Sequence, residues 1–246
     1  LSYSATDRFS WYVGLLDYPV PLRWKKIIDY LLRVGVIKVP VVYNDRQFHD
    51  EPKLCGLRVR TASIADGTDG RADINDWYSR GVSQDPEESI SKVIGELLER
   101  YPLTLYRKRD LRVASVGTLR REKRKFLDPF LVDQFSEWQK ERFPKCRFDE
   151  KSLFRWVEGR SLMTREKALI PAQMVFWNYR YGDGEPILRE ANTNGAGGMF
   201  SPEEAILSGL YESIQRDAFL VYWLNGIAPP RIDPAGIRSE AVRQLL

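Results

Sequence analysis

The amino-acid sequence predicts a mixed α/β fold in which helices pack on mostly antiparallel sheets. Three observations support this prediction: strand-like and helix-like patterns alternate along the chain, turn-rich stretches separate strands, and one helix-containing segment occurs twice. Interleaved strands and helices are typical of α/β and α+β domains. Turn-rich connections favour antiparallel pairs, because parallel strands need a long crossover. The 246 residues are enough for one large domain or two small ones.

The first part of the chain contains one predicted helix and two predicted strands. Residues 23–35 place five apolar side chains on one stripe with helical spacing, and Gly35 suits the C-terminal end of that helix. Residues 37–43 are a β-rich run interrupted by Pro40, which favours an edge strand because proline has no amide hydrogen to donate. Residues 57–66 alternate apolar and polar side chains as a strand does.

The rest of the chain contains further helices and a buried strand. Residues 85–101 and 202–224 have strong helical patterns, and residues 130–143 have a weaker one. Residues 168–177 are predicted as a buried strand with a proline near its start. Residues 106–126 are polar and strongly basic, and the charge pattern favours a solvated loop or helix face.

The composition excludes several kinds of site. His49 is the single histidine, in a polar stretch that favours the surface, so a His-rich metal site is excluded. Cys55 and Cys146 form no C-x-x-C motif, and reduced thiols are favoured over a disulfide. Any metal would therefore be held by carboxylates and other oxygen ligands, which suits Mg²⁺.

Charge and hydropathy argue against a membrane or DNA as the main partner. The longest apolar run, residues 218–224, falls short of the roughly 18 residues of a membrane span. Lysine and arginine number 38 against 34 aspartates and glutamates, and the resulting charge of +4 is too weak to indicate DNA binding. We expect a cytoplasmic protein. Binding of nucleic acid or of an acidic leader peptide through the basic segment 106–125 is the less favoured alternative.

The most informative feature of the sequence is an internal repeat. Residues 79–101 align without gaps with residues 195–217, at a constant offset of 116. In each copy a glycine-bearing turn precedes a helix with a predicted N-cap, a proline at its first position and a glutamate as capping-box partner. The aligned pairs are Gly81 and Gly197, Asp85 and Ser201, Glu88 and Glu204, Glu96 and Glu212, Glu99 and Gln215, and Arg100 and Arg216.

The repeated carboxylates predict a functional site, because capping does not require matching acidic residues three turns into each helix. Glu96 and Glu99 share one helix face, and Glu212 and Gln215 occupy the corresponding face. Two such helices across a pseudo-two-fold axis would form an oxygen-rich site for Mg²⁺ and a nucleotide triphosphate. Glycine turns at helix N-termini, with Arg80 nearby, suit phosphate binding. The alternative is that both helix faces are ordinary solvated surface.

Three segments carry a resemblance to the YcaO family. Residues 192–233 resemble its signature, an S-N-G-x-x-x-G turn followed by an E-A pair and an E-x-x-E-R-D-A helix. Residues 81–101 are similar to the family's first copy, and residues 154–176 resemble its W-V-x-G-x-x-L segment. The resemblance implies one internally duplicated domain over residues 1–246. Because family domains are longer, we expect this domain to be truncated at its C-terminus.

The resemblance implies an ATP- and Mg²⁺-dependent enzyme that activates peptide backbone amides. Phosphorylation of the amide oxygen makes a good leaving group, so that attack by a Cys, Ser or Thr side chain gives an azoline and attack by sulfide gives a thioamide. The implied partners are a precursor peptide of a ribosomal natural product and a protein that grips its leader; homodimerisation stays open. The alternative is a non-catalytic YcaO-like scaffold or peptide-binding partner.

The resemblance also assigns a nucleotide site, with Glu96, Glu99, Glu204 and Glu212 as its metal ligands. Arg80 and Arg216 are assigned to the phosphates. Gln215 departs from the family pattern, because it replaces the second glutamate of the second E-x-x-E motif. Its neutral amide still offers an oxygen, but it removes one negative charge and weakens metal binding.

Overall fold

The computed structural model describes residues 21–39, 54–61, 78–177, 179–189 and 191–243. His49 and the turn-rich stretch 66–70 lie outside these residues. The helices and strands in chain order are α1 (Leu22–Arg33), β1 (Ile37–Val39), β2 (Cys55–Thr61), β3 (Tyr78–Ser83), α2 (Pro86–Leu103), β4 (Arg112–Ser115), α3 (Val116–Arg121), α4 (Glu137–Arg142), β5 (Leu153–Arg160), β6 (Lys167–Pro171), α5 (Pro202–Leu224) and α6 (Glu240–Arg243).

The chain divides into two compact units, each with its own three-stranded sheet. Unit 1 comprises residues 1–63, 74–99 and 194–246, and unit 2 comprises residues 64–73 and 100–193. The strand order is β1-β2-β3 in unit 1 and β4-β5-β6 in unit 2, and each pair of named strands is antiparallel. The predicted mixture of helices and mostly antiparallel sheets is confirmed. The assignment of residues 1–246 to one domain stays a prediction.

In unit 1, α1 ends at the glycine that the sequence indicated. Gly35 has a φ of +78°, and its amide donates to the carbonyl of Leu32 while the amide of Val36 donates to the carbonyl of Leu31. This Schellman motif stops the helix, because glycine adopts the left-handed conformation without a steric penalty. The chain then enters β1, which is an edge strand among the described strands, as predicted; Pro40 and the rest of the predicted strand to residue 43 lie outside the described residues.

The apolar residues of α2 recur with helical spacing, which predicts a buried stripe of Ile90, Val93, Ile94, Leu97 and Leu98, and the structure largely confirms it. Ile90, Val93, Ile94 and Leu97 are buried, whereas Leu98 is 48% exposed. The helix is longer than predicted, because it continues past residue 101 to Leu103 and takes a proline into its last turn. The helix starts where the Pro-Glu-Glu pattern predicts. Glu96 and Glu99 therefore lie on the helix face that the sequence predicted for them.

The core of unit 2 includes a strand and a helix that the sequence did not predict. The segment 106–126, expected to be a solvated loop or helix face, contains β4 and α3. Charged residues alternate with the few apolar ones here, so the segment has no obvious hydrophobic period, although most of its apolar positions are buried and Val113 is exposed. The core residues are Ala114, Val116, Leu119, Phe154, Trp156, Leu169 and Leu188.

Two further predictions in unit 2 were wrong in extent. The weak helix predicted over 130–143 is confined to α4, because Ser136 starts a new capping box with Gln139 and a separate 3₁₀ turn precedes it. The buried strand predicted over 168–177 ends at Pro171, and residues 172–174 form a 3₁₀ turn. In both places a local backbone turn ends the regular element that the apolar side chains suggested.

The last long helix, α5, has the predicted bounds. Large aromatic side chains such as Trp156 and Trp223 are expected in a core, but Trp223 is 71% exposed, and most other apolar side chains of α5 are exposed too. Trp156 is buried as expected, and its indole nitrogen donates to the carbonyl of Ala114 at 2.9 Å. Among the described residues, no helix combines the length and the apolar character needed to cross a membrane.

Candidate functional site

The first copy of the repeat forms a close junction between β3 and α2. Gly81 lies within β3, paired with Leu57 of β2, so the predicted glycine turn is in fact a strand; the chain bends only after Ser83. A β-carbon on Gly81 would lie 2.1 Å from the carbonyl oxygen of Ser89 and 2.7 Å from the amide nitrogen of Val93. The strand can approach the helix backbone this closely only because position 81 has no side chain.

The second copy repeats this packing within the same unit. A β-carbon on Gly197 would lie 2.0 Å from the carbonyl oxygen of Ala205 and 3.2 Å from the amide nitrogen of Gly209. These three positions are those of the first junction shifted by 116, the offset of the sequence repeat. The repeat therefore conserves a contact between two backbones as well as a pattern of residues.

The predicted N-caps form in both copies, but in the first copy Glu88 accepts a hydrogen bond from outside the predicted capping box. Asp85 accepts an amide hydrogen of the first turn of α2 at 2.9 Å, and Ser201 accepts the amide hydrogen of Glu204 at 3.2 Å. Glu88, expected to complete the first capping box, instead accepts the hydroxyl of Ser83. That hydrogen bond is the main cause that lowers the pKa of Glu88 below its ordinary value.

Two of the predicted glutamates accept amide hydrogens from the glycine-bearing segment of their own copy. Glu96 on α2 accepts the amide hydrogen of Arg80, and Glu212 on α5 accepts that of Gly195 at 3.1 Å. Both carboxylates are partly buried, and a charged acceptor in such a position gains strongly from an N–H donor. Carboxylate and backbone amide thus face each other in both copies.

The carboxylate of Glu99 connects the two copies of the repeat within unit 1. It accepts the amide hydrogen of Gly198 at 2.9 Å, although the two residues are 99 positions apart in the chain. A β-carbon on Gly198 would lie 2.8 Å from the β-carbon of Glu99, so this contact also depends on glycine. The acidic face of α2 therefore meets the glycine-rich loop that precedes α5.

Glu204, Glu212 and Gln215 line one open groove of about 490 Å³ along α5. Arg216, predicted to bind phosphate, forms an ion pair with Glu212 at 3.3 Å, and the side chain of Arg80 is exposed. The four predicted metal ligands do not form one cluster: within the described part of the chain, no three Asp, Glu, His or Cys side chains are close enough to hold a metal ion.

This arrangement of donors fits a metal bound together with a phosphate ligand better than a metal held by protein alone. Mg²⁺ is usually held by one or two carboxylates, with phosphate oxygens and waters in its other positions. The partly buried carboxylates of Glu96, Glu99 and Glu212 supply hard oxygen ligands. The amides of the glycine-rich loop are the donors that phosphate oxygens prefer. Carboxylates that can bind the cation and amides that can bind phosphate oxygens together suit a complex of Mg²⁺ with a nucleotide.

Sequence reasoning placed phosphate binding at the glycine turns but did not predict that their amides contact the glutamates. The amides of Gly195 and Gly198 donate to Glu212 and Glu99. The three glycines within 195–198 were the sequence signal for such contacts, because glycine lets a backbone approach another group closely.

Comparisons with known proteins identify a family and similar folds. A family model described as YcaO cyclodehydratase, ATP- and Mg²⁺-binding, matches residues 80–246. An uncharacterized protein of Methanothermobacter thermautotrophicus (strain Delta H) is 33% identical over 98 residues, which is 40% of this chain and 26% of that protein.

Two solved structures show a similar fold. YcaO from Methanopyrus kandleri, bound with AMPPCP and Mg²⁺, matches with a TM-score of 0.57 and 23% identity over 91% of this chain and 49% of its own. A heterocyclase in complex with substrate and cofactor matches with a TM-score of 0.61 and 22% identity over 77% of this chain and 27% of its own. The chain thus spans about half or less of each of these three proteins.

Proposed function

Because the chain belongs to the YcaO cyclodehydratase family, we propose that it takes part in the ATP- and Mg²⁺-dependent activation of a peptide backbone amide. The bound nucleotide would supply the phosphoryl group that turns the amide oxygen into a leaving group. Ring closure by a Cys, Ser or Thr side chain to an azoline is the proposed reaction, with thioamide formation as a variant. The proposed substrate is a ribosomally made precursor peptide in the cytoplasm, recognised together with a leader-binding partner protein.

The duplicated junction between glycine and helix is the observation that carries this proposal. Both copies bring a backbone segment against a helix, and in both copies a glutamate about two turns further along accepts an amide hydrogen of that segment. The contact between Glu99 and Gly198 joins the copies, so their carboxylates and amides belong to one region of unit 1. On binding a metal–nucleotide complex, these carboxylates would turn to the cation and these amides to phosphate oxygens, in exchange for the hydrogen bonds between them.

We assign the following roles within this region. Glu96, Glu99 and Glu212 would each contribute a carboxylate to Mg²⁺ bound together with phosphate, one or two carboxylates per ion, and Glu204 lines the same groove as Glu212 and Gln215. The amides of the glycine-rich loop would donate to phosphate oxygens. Arg80 and Arg216 would complete this phosphate site, and Arg216 already lies beside Glu212.

Calorimetric titration of the 246-residue chain with ATP in excess Mg²⁺ tests this proposal. We expect Glu96→Gln and Glu212→Gln each to weaken binding about tenfold, because each removes the charge of one proposed metal ligand. A tenfold change in affinity corresponds to roughly 1.4 kcal/mol. Glutamine keeps the shape of the side chain and still accepts an amide hydrogen, so the fold should persist. Glu203→Gln, an equal loss of charge at an exposed position of α5, is the control and should change the affinity less than twofold. Equal weakening in the control would contradict the assignment, and so would tight binding in all variants.

The second candidate function is a non-catalytic YcaO-like scaffold or peptide-binding partner, and Gln215 is the observation that favours it. Gln215 stands where the family pattern has a glutamate and lines the groove beside Glu212. If the site binds Mg²⁺–ATP, Gln215→Glu should lower the Mg²⁺ concentration needed for half-maximal nucleotide binding several-fold, because the site gains a charged oxygen ligand. If neither the natural chain nor this variant binds nucleotide at any Mg²⁺ concentration, the scaffold function is the better account.

A further inference from the structure

A basic pocket lies in unit 2, on elements that the proposed nucleotide site does not use. Its volume is about 210 Å³, below the roughly 300–1,000 Å³ typical of small-molecule sites. A pocket of this size suits one or two side chains rather than a whole cofactor. Its lining residues are Lys123, Arg124, Lys125, Glu158, Lys167, Ala168 and Leu169, which we call the basic pocket.

Glu158, the carboxylate among the lining residues, has its negative charge offset by neighbouring cations. Glu158 forms an ion pair with Lys167 at 2.7 Å across the β5–β6 ladder. The hydrogen bond from Lys167, together with the charges of Lys167, Arg124 and Arg160, keeps the pKa of Glu158 below its ordinary value. Glu158 therefore offsets the charge of Lys167 and leaves the pocket with an excess of cations.

Two cations of the pocket form no direct ion pair among the described residues. Lys125 is paired with Glu166, but in the ranges that the structure describes no ion pair involves Lys123 or Arg124. Both side chains are exposed and line the pocket. The pocket therefore keeps positive charge available for an external anion.

The backbone conformation at Lys123 is a second observation that points to a functional role for this lysine. α3 ends in a Schellman motif, in which the amide of Lys123 donates to the carbonyl of Arg120 and the amide of Arg124 donates to that of Leu119. Lys123 holds the left-handed position of this motif, with a φ of 53°. Glycine is the usual residue there, and Gly35 holds the equivalent position after α1. Lys123 therefore occupies a left-handed position in which its β-carbon strains the backbone. Strain of this kind is concentrated at functional positions.

We propose that the basic pocket binds an acidic stretch of the peptide whose backbone amide is activated, an inference that rests on the proposed function for the identity of the peptide. Aspartate or glutamate side chains would meet Lys123 and Arg124, while peptide N–H groups would find an acceptor in Glu158. None of the lining residues that the structure describes is aromatic, so they offer no surface on which nucleic-acid bases could stack. Ala168 and Leu169 add an apolar wall that suits a peptide better than a phosphate chain.

The test is the fluorescence anisotropy of labelled hexaglutamate added to the 246-residue chain at low ionic strength. Hexaglutamine of equal length and an oligouridine RNA serve as comparison probes. We expect hexaglutamate to bind, hexaglutamine not to bind, and Arg124→Gln to weaken hexaglutamate binding at least fivefold. Lys151→Gln removes an equal charge from an exposed turn outside the pocket and should weaken binding less than twofold.

Lys123→Gly separates binding from folding. Because glycine relieves the left-handed strain, this variant should raise the melting temperature by about 2 °C while weakening hexaglutamate binding at least fivefold. Equal loss in Lys151→Gln, no hexaglutamate binding, or tighter binding of oligouridine through the same residues would overturn the inference. A chain that binds Mg²⁺–ATP but not hexaglutamate overturns this inference alone, and the reverse result overturns only the proposed nucleotide site.

Discussion

Replacing Gly197 by alanine is expected to destabilise the fold by about 3 kcal/mol, the upper end of the usual range for overpacking a tightly packed site. The new β-carbon would lie 2.0 Å from the carbonyl oxygen of Ala205, which belongs to the helix backbone and cannot rotate away. Gly81→Ala should have a similar effect, because its β-carbon would lie 2.1 Å from the carbonyl oxygen of Ser89. Urea or guanidinium denaturation followed by circular dichroism measures the change.

Gly95→Ala is the matched control for both substitutions. Gly95 lies in α2, and a β-carbon there would have no atom within 4 Å. Alanine is the better helix former by about 0.8–1 kcal/mol, so this variant should be more stable than the natural chain. If Gly81→Ala and Gly197→Ala were also neutral or stabilising, the close junctions described above would be contradicted.

Replacing Glu185 by glutamine is expected to destabilise the fold by about 3 kcal/mol, because it breaks a buried ion pair by removing one partner. The side chain of Glu185 is 2% exposed and pairs with the guanidinium of Arg155 at 3.0 Å. It also accepts the hydroxyl of Tyr179 at 2.9 Å and the amide of Gly182 at 2.8 Å. Burial raises the pKa of Tyr179, so the phenol stays protonated as a donor to this carboxylate.

The surface pair of Glu158 and Lys167 gives the comparison for Glu185. Both partners of this pair lie on the same sheet as Arg155, but their side chains are 50% and 62% exposed. Ion pairs in solvent contribute little, so Glu158→Gln should leave the denaturation midpoint nearly unchanged. A Glu185→Gln variant as stable as Glu158→Gln would show that the buried network does not hold unit 2 together.

The sequence predicted helices well where one apolar stripe and a clear cap coincide. α1, α2 and α5 begin and end within about two residues of their predicted bounds, because proline, glycine and cap residues act on the adjacent backbone. β4 and α3 escaped prediction because their apolar residues are few and separated by arginines and lysines. Burial of Val116 and Leu119 depends on strands more than thirty residues away, which no local pattern contains.

The candidate site was predicted in its residue types and only partly in its geometry. The repeat identified Glu96, Glu99 and Glu212, and the structure shows that each faces a backbone amide. Gly81 was expected in a turn and lies in β3, because its role depends on pairing with β2. The assignment of metal ligands stays a prediction, since it depends on a bound cation as well as on the chain.

By itself, the sequence determined the mixed α/β class, the duplicated motif and the family, because caps, periodicity and a gap-free repeat are properties of neighbouring residues. Only the tertiary structure decided that a glycine in each copy lets a backbone segment contact its helix, and that Glu99 reaches Gly198 across 99 positions of chain. It also decided that Lys123, Arg124 and Lys125 of the basic segment border a pocket. Such contacts depend on how distant elements pack, and a pattern read along one segment carries no information about the atoms that another segment brings to it.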